Sequence, residues 1–227
     1  MENIKNEGEI LNLLGKIYEQ TIQGIPKVSV PIDVLAGDYL MKNNSVNLAA
    51  KSFIRYQIAK CTTSGFLTGL GGLITLPIAV SANIASVLYV QMRMIAGLAY
   101  MGGYDVESDQ VQTLIYVCLA GVSIDEILKK TGIQFGERFT KVMIDKIPGT
   151  ALKSINNKVG FRFITKGGEK GVINLGKTVP VVGGIVGGSF DLVETSAIAR
   201  RAYKLFIEND FSVLSKDEES ELIVEEV

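Results

Sequence analysis

Hydrophobic positions recur at helical spacing along most of this chain. The first run predicts an amphipathic helix ending near residues 24–26, and it consists of Ile10, Leu13, Leu14, Ile17 and Tyr18. Helix-start signals follow at Pro31, Ser45, Pro77, Ser108 and the capping box Ser123/Glu126. They predict helices over residues 32–41, 45–60, 77–101, 108–120 and 123–132, and further helices follow at 133–147, 149–166 and 181–208.

Strand signals are scarce by comparison. Only residues 160–165 alternate apolar and polar positions, and that run is short and isolated. The pattern therefore predicts an all-α fold, a single helical-bundle domain with no significant β-sheet. We expect an N-terminal amphipathic helix over residues 1–25, the helical domain over 26–207 and an acidic, flexible tail over 208–227.

Two apolar stretches of the chain are rich in glycine. No charged residue lies between Lys60 and Arg93, which leaves 32 uncharged positions, and 13 more lie between Lys177 and Asp191. The first stretch is long enough for a membrane span of about 20 residues, and the second is too short. Both place small residues four apart, which lets helix backbones approach closely, at Gly65/Gly69, Gly183/Gly187 and Gly184/Gly188. Gly72 is a further glycine expected to serve helix packing or membrane contact.

Three interpretations of these glycine-rich hairpins stay open. They pack tightly inside a helical bundle, or they insert into or dock against a bilayer, or they build a glycine-zipper pore. The mean hydropathy of +0.28 favours the membrane. The same spacing is compatible with a homo-oligomer.

One charged residue interrupts the apolar helix predicted to end at Met101. Arg93 shares a helix face with Ser86 and Tyr89, and a buried arginine needs a partner. Asp191 and Glu194, three residues apart after the second glycine stretch, are the natural candidates. A structural ion pair between the two hairpins is the main hypothesis. A catalytic or ligand-binding cluster is the alternative, because paired carboxylates serve acid–base chemistry.

Charge is distributed unevenly along the chain. Residues 208–227 hold eight acidic residues and one lysine, so the remaining chain carries +6 although the whole chain carries −1. Most of that excess lies in residues 129–177, which include Lys129, Lys130, Lys141, Lys153, Lys158 and Arg162. Solvated helix faces explain such a segment, and so does attraction to anionic lipid. No nucleic-acid-binding motif accompanies it, so we expect no nucleic-acid partner.

Composition excludes several kinds of chemistry. The chain has no histidine, which removes histidine-based catalysis and histidine-ligated metal sites. Its two cysteines form no metal-binding or redox motif and fit a reducing cytosol. Residues 1–9 contain no apolar run of the kind found in secretory signals. We expect no cofactor, no metal and no catalytic residue, and a location on the cytoplasmic side of the membrane.

Residues 171–178 match the phosphate-loop pattern letter for letter. Gly171, Gly176, Lys177 and Thr178 occupy its fixed positions. A true phosphate loop follows a strand and opens a helix, whereas no strand directly precedes this segment and Pro180 follows it. We therefore interpret the match as coincidental and expect no nucleotide site.

The glycine-rich stretches also resemble a known protein family. The matching segments are TTSGFLTGLGGLITLP at 62–77, QMRMIA at 91–96, GEKGVINLGK at 168–177 and VPVVGG at 179–184. They closely resemble the bacterial EcsC family over about residues 30–205. That family takes its name from a protein encoded beside an ABC-transporter operon in Gram-positive bacteria. The resemblance implies a bacterial, helical, membrane-associated protein, and it supplies no catalytic residues.

The sequence thus favours a non-enzymatic protein that acts by contact. Its expected partners are an anionic membrane surface and a membrane protein, including one linked to an ABC transporter. An enzyme or small-molecule binder with an apolar pocket is the first alternative. A pore-forming or toxin-neutralising protein is the second.

Overall fold

The computed structural model describes residues 7–61, 82–133, 140–165 and 186–217. These ranges fold as an all-α bundle and contain no strand, only an isolated bridge between Ile25 and Ser29. The helices are α1 Glu7–Gln23, α2 Ile32–Lys42, α3 Val46–Cys61, α4 Ala82–Met101, α5 Asp109–Ala120, α6 Asp125–Lys129, α7 Lys141–Ile144, α8 Gly149–Thr165 and α9 Val186–Phe206. A 3₁₀ helix, Phe211–Ser215, follows α9.

Helix α4 lies at the centre of the bundle. It packs against α1, α2, α3, α5 and α9, while α8 covers α1 and α5 on one side. Every residue from Gln91 to Ala99 is buried, so this part of α4 is enclosed on all sides. A helix that is apolar all round becomes a core helix in such a bundle, which explains its weak amphipathic pattern.

Glycines let two helices approach α4 closely. A Cβ atom on Gly97 would lie 2.4 Å from the Phe53 ring of α3, and one on Gly102 would lie 2.0 Å from the Phe206 carbonyl oxygen. Both distances are shorter than any real contact. The helices α3 and α9 therefore occupy positions against α4 that only glycine permits.

Several predicted helix ends are confirmed. Ser45 accepts a hydrogen bond from the Leu48 amide, and Ser108 accepts one from the Val111 amide. Gly103 has a φ of +72°, as expected for the glycine that ends α4. These signals succeeded because they depend on neighbouring residues alone.

The capping box predicted at Ser123 is wrong. Helix α6 begins two residues later, and its N-cap residue Ile124 makes no side-chain capping bond. The Ser123 amide instead donates to the Asp217 carboxylate at 2.8 Å. Asp217, which is distant in sequence, has therefore replaced Glu126 as the acceptor for the Ser123 amide.

The boundary predicted at residue 208 also differs from the structure. Phe211, Val213 and Leu214 are buried against the bundle, and the Ile124 amide donates to the Leu214 carbonyl oxygen at 2.8 Å. The packed part of the chain thus extends at least to the 3₁₀ helix. Of the predicted helix at 133–147, the described residues contain only the short α7.

Two buried tyrosines join α1 to α5. Tyr18 of α1 and Tyr116 of α5 meet edge to face, with ring centroids 5.8 Å apart. The Tyr18 hydroxyl donates to the Val106 carbonyl oxygen, and Gln112 donates to the Tyr116 hydroxyl at 2.7 Å. Burial raises the pKa of both phenols, and for Tyr116 the amide of Gln112 opposes that shift. Both tyrosine side chains are almost fully buried.

Candidate functional site

Arg93 is a buried cation at the centre of the bundle. Only 3% of it is exposed. Its guanidinium donates to the Thr21 carbonyl oxygen at 3.1 Å, to the Val30 carbonyl oxygen at 2.9 Å and to the Tyr89 hydroxyl at 3.3 Å. Thr21 lies in the last turn of α1, where carbonyl oxygens lack helical partners, and a cation is favourable there. Arg93 therefore ties the end of α1 to the loop that leads into α2.

A tight turn holds that loop in place beside Arg93. The Ser29 and Tyr89 hydroxyl oxygens lie 2.6 Å apart, and the Ile25 amide donates to Ser29 Oγ at 2.9 Å. Gly24 opens the turn with a φ of +78°, and a Cβ atom there would lie 2.4 Å from the Ser29 carbonyl oxygen. Only glycine fits, so the turn and the arginine fix each other.

The electrostatics of Arg93 follow from its burial. Burial lowers the pKa of the guanidinium, and the adjacent Tyr89 raises it through its charge interaction and its hydrogen bond. The guanidinium stays protonated in proteins, so it remains a buried cation at neutral pH. The predicted shared face of Tyr89 and Arg93 is confirmed by the bond between them.

The predicted partners of Arg93, Asp191 and Glu194, belong to the first half of α9. Their side chains lie outside the described residues, so the ion pair stays a prediction. Helix α9 does pack against α4, where Gln91 donates to Thr195 Oγ1 at 3.0 Å. Two residues along a helix correspond to a rotation of about 200°, so Arg93 leaves α4 on the side away from Gln91.

Most of the predicted glycine sites lie outside the described residues. This holds for Gly65, Gly69, Gly72, Gly183 and Gly184, and for the phosphate-loop match at Gly171, Gly176, Lys177 and Thr178. Gly187 and Gly188 lie in the first turn of α9. Among the helices described above, none combines the length and the apolar character needed to cross a membrane.

The predicted basic residues include side chains that are bonded within the bundle, and the surface itself stays a prediction. Lys129 pairs with Asp125, and Lys158 donates to the Ser123 carbonyl oxygen at 2.7 Å. Lys141 donates to the carbonyl oxygens of Gly102 and Gly103, and its ammonium lies 4.2 Å from the centre of the Tyr104 ring. Arg162 is partly buried, whereas Lys130 and Lys153 are exposed. Several of these cations therefore hold the fold together.

Exposed large hydrophobic side chains concentrate elsewhere. Of the nine in the described ranges, seven belong to residues 28–56, and these are Val28, Val30, Val34, Met41, Val46, Leu48 and Tyr56. Three of them, Met41, Val46 and Leu48, flank the turn between α2 and α3. We call these three residues the α2–α3 corner. Met41 is 80% exposed and Leu48 is 54% exposed. Apolar side chains grouped in this way are typical of an interaction surface.

The exterior of α3 adds positive charge to this apolar surface. Helix α3 carries Lys51, Arg55 and Lys60 and no acidic residue. The Lys60 ammonium lies 4.6 Å from the centre of the Tyr56 ring, a cation–π contact. The net charge of long sequence segments does not reveal this surface, because α3 lies outside the most basic segment, residues 129–177. The signal that could have found it is the alternation of basic and apolar residues on the outward face of α3.

A shallow groove of about 220 Å³ runs between α3 and α9. On α3 it is lined by Lys51, Ile54 and Ile58. On α9 it is lined by Ser196, Ala199, Arg200 and Tyr203. The Lys51 ammonium lies 6.0 Å from the centre of the Tyr203 ring. The groove thus has an apolar floor and two cations at its rim.

Neither chemistry nor similarity adds a further assignment. Within the part of the chain that the structure describes, no group of three histidine, cysteine or carboxylate residues could hold a metal ion. Comparison with protein-family models, with curated proteins and with solved structures finds no match to this chain. The resemblance to the EcsC family therefore stays an expectation from the sequence motifs quoted above.

Proposed function

We propose that this protein is a non-enzymatic peripheral membrane protein that attaches to an anionic bilayer through the α2–α3 corner and the exterior of α3. One observation carries the proposal: seven of the nine exposed large hydrophobic side chains in the described ranges cluster in residues 28–56, beside a helix with three cations and no acid. An apolar surface rimmed by lysine and arginine matches the boundary between headgroups and acyl chains.

The expected strength of attachment is modest. Burying the three side chains of the corner, which are only partly exposed, contributes about 1 kcal/mol each. Each cation of α3 contributes about 1 kcal/mol near an anionic surface. The sum of about 6 kcal/mol corresponds to a dissociation constant on the order of 10–100 μM. The protein would therefore bind and leave the membrane reversibly.

The Arg93 cluster supports contact rather than catalysis as the function. Its guanidinium already serves two carbonyl oxygens and a phenol, and it is almost fully buried. A catalytic cation must reach its substrate. Arg93 instead fixes the segment that presents the α2 side of the proposed membrane surface.

Vesicle flotation tests the proposal. We expect the chain to float with vesicles of equimolar phosphatidylglycerol and phosphatidylcholine, and not with phosphatidylcholine alone. The double variant Met41→Ser/Leu48→Ser removes about 2 kcal/mol of apolar contact and should weaken binding about 30-fold. The matched control is Val142→Ser/Phe161→Ser, which changes side chains that are 62% and 57% exposed on α7 and α8.

Two results would contradict the proposal. The first is a chain that ignores anionic vesicles at low salt. The second is equal weakening by the corner variant and by its control, which would assign binding to general hydrophobicity. A response to Phe161→Ser alone would instead favour the basic segment at residues 129–177.

The resemblance to the EcsC family adds a partner to this proposal. A protein held at the cytoplasmic face of the membrane would contact a membrane protein there, including an ABC transporter. The genes beside this one provide the first test. A transporter pair favours this partner, whereas a toxin or a hydrolase cluster favours another role.

A further inference from the structure

The groove between α3 and α9 has two chemically different ends. Its lining residues recur at three- and four-residue steps on each helix, so it runs along both axes for two turns, or about 10 Å. Lys51 and Tyr203 meet at one end. Ile58 and Ser196, each seven residues away along its own helix, therefore form the other end. One end is cationic, and the floor beyond it is apolar.

We propose that this groove binds a single-chain fatty acid, with the carboxylate at Lys51 and Arg200 and the hydrocarbon chain along Ile54, Ile58 and Ala199. The charge of the rim selects an anion, and the apolar floor selects hydrocarbon. The volume of about 220 Å³ is below the roughly 300 Å³ at which pockets accept drug-sized ligands. It admits one chain rather than the two of a phospholipid.

The size of the groove also argues against a second copy of the protein as the occupant. A stable interface buries at least about 1,000 Å² in total, far more than a two-turn groove provides. The proposal depends only on the lining of the groove. The fatty-acid proposal can therefore be correct even if the protein does not attach to vesicles, and the reverse also holds.

Isothermal titration calorimetry with octanoic acid as the probe, whose chain matches the length of the groove, tests the proposal on the full-length, delipidated chain. We expect saturable heat with one probe per chain in buffer without vesicles. The double variant Lys51→Glu/Arg200→Glu should weaken binding at least about tenfold, because both exposed cations become repulsive. The amide of the same probe should bind the wild-type chain at least about tenfold more weakly, since it has no charge.

Two further variants make the result specific. Lys16→Glu reverses an exposed charge on α1, away from the groove, and should leave binding unchanged. Ile58→Trp fills the apolar end and should abolish binding while circular dichroism stays that of the native helices. If Ile58→Trp unfolds the chain, the two charge variants decide the matter, because they change only exposed side chains.

Four outcomes would overturn the proposal. These are the absence of saturable binding, equal binding of acid and amide, equal weakening by Lys16→Glu, and a dimer that the groove variants dissociate. A dimer that the groove variants dissociate would show that a second copy of this chain occupies the groove. Because no vesicles are present, probe binding can succeed where flotation fails, and the two proposals remain distinguishable.

Discussion

Helices α3 and α8 carry the same charge but pack against different helices, α3 against α2, α4 and α9, and α8 against α1 and α5. Each has three basic residues and no acidic residue, and each buries one face in the bundle. Their exteriors differ. Helix α3 exposes Val46, Leu48 and Tyr56 among its cations, whereas α8 exposes mainly polar residues, with Phe161 as its one exposed large hydrophobic side chain.

The comparison shows that positive charge alone does not identify a membrane-facing surface. On α8, Lys158 is bonded to the Ser123 carbonyl oxygen and Arg162 is partly buried, so part of the charge serves the fold. On α3, the cations alternate with exposed apolar groups, which is the composition of an interfacial helix. The local mixture of charge and hydrocarbon is therefore the informative quantity.

The largest expected effect comes from Arg93, which holds the loop that leads into α2. Arg93→Met leaves the buried carbonyl oxygens of Thr21 and Val30 without their donor and should lower the free energy of unfolding by about 3 kcal/mol. Urea unfolding measures this loss. Hydrogen exchange should accelerate first in residues 24–42 while α8 keeps its protection. Arg93→Lys keeps the charge and should show a smaller loss. Equal loss of protection in α2 and α8 would break the distinction between these two regions.

A smaller effect is expected from neutralising matched pairs of cations. Lys51→Gln/Arg55→Gln should weaken binding to phosphatidylglycerol vesicles about 30-fold, because each cation contributes about 1 kcal/mol. Lys153→Gln/Lys158→Gln removes the same charge from α8 and should change binding less than about threefold. Flotation at one fixed salt concentration measures both. A reversed order of the two pairs would make α8 the membrane-facing helix.

The smallest effect concerns alkaline pH and the two buried tyrosines, Tyr18 and Tyr116. Burial raises the pKa of Tyr18 and Tyr116 above their unfolded value of 10.0. A phenol with a raised pKa stabilises the fold below pH 10, and this contribution disappears as the pH rises towards the folded pKa. The free energy of unfolding should therefore fall by about 1 kcal/mol per tyrosine between pH 10 and 11. Chemical unfolding at several pH values measures the slope.

A phenylalanine variant sharpens this last test. Tyr18→Phe should reduce the alkaline slope relative to the wild-type chain. Burial also raises the pKa of the Cys118 thiol to about 12, although Arg201 opposes the shift. That thiol should resist alkylation until the chain unfolds.

An unchanged slope of the unfolding free energy against alkaline pH in Tyr18→Phe would contradict the assignment of this pH dependence to Tyr18.

The sequence predicted what depends on neighbouring residues. The caps at Ser45 and Ser108 and the stop at Gly103 were correct because each acts within one turn of its helix. The capping box at Ser123 was wrong because Asp217, 94 positions later, takes its amide. No local signal marks such a competitor. The helical class followed from periodicity, which does not depend on these details.

The candidate sites were harder to predict for the same reason. The need of Arg93 for partners was visible in the sequence, but the carbonyl oxygens of Thr21 and Val30 were not, since backbone acceptors carry no sequence mark. The net charge of residues 129–177 could not show that Lys141 donates hydrogen bonds to backbone carbonyl oxygens just after the end of α4. Apolar residues on the outside of α3 look like core residues until the bundle shows which face is covered.

The ties that Arg93 makes also set an order for chain assembly during synthesis. Its partners Thr21 and Val30 precede it by 72 and 63 positions, so both leave the ribosome well before the arginine does. At a synthesis rate of about 5–20 residues per second, several seconds pass between the synthesis of α1 and the synthesis of Arg93, which ties α1 to the loop before α2. Helices α1 and α2 are made first but acquire their final geometry only when α4 has been synthesised.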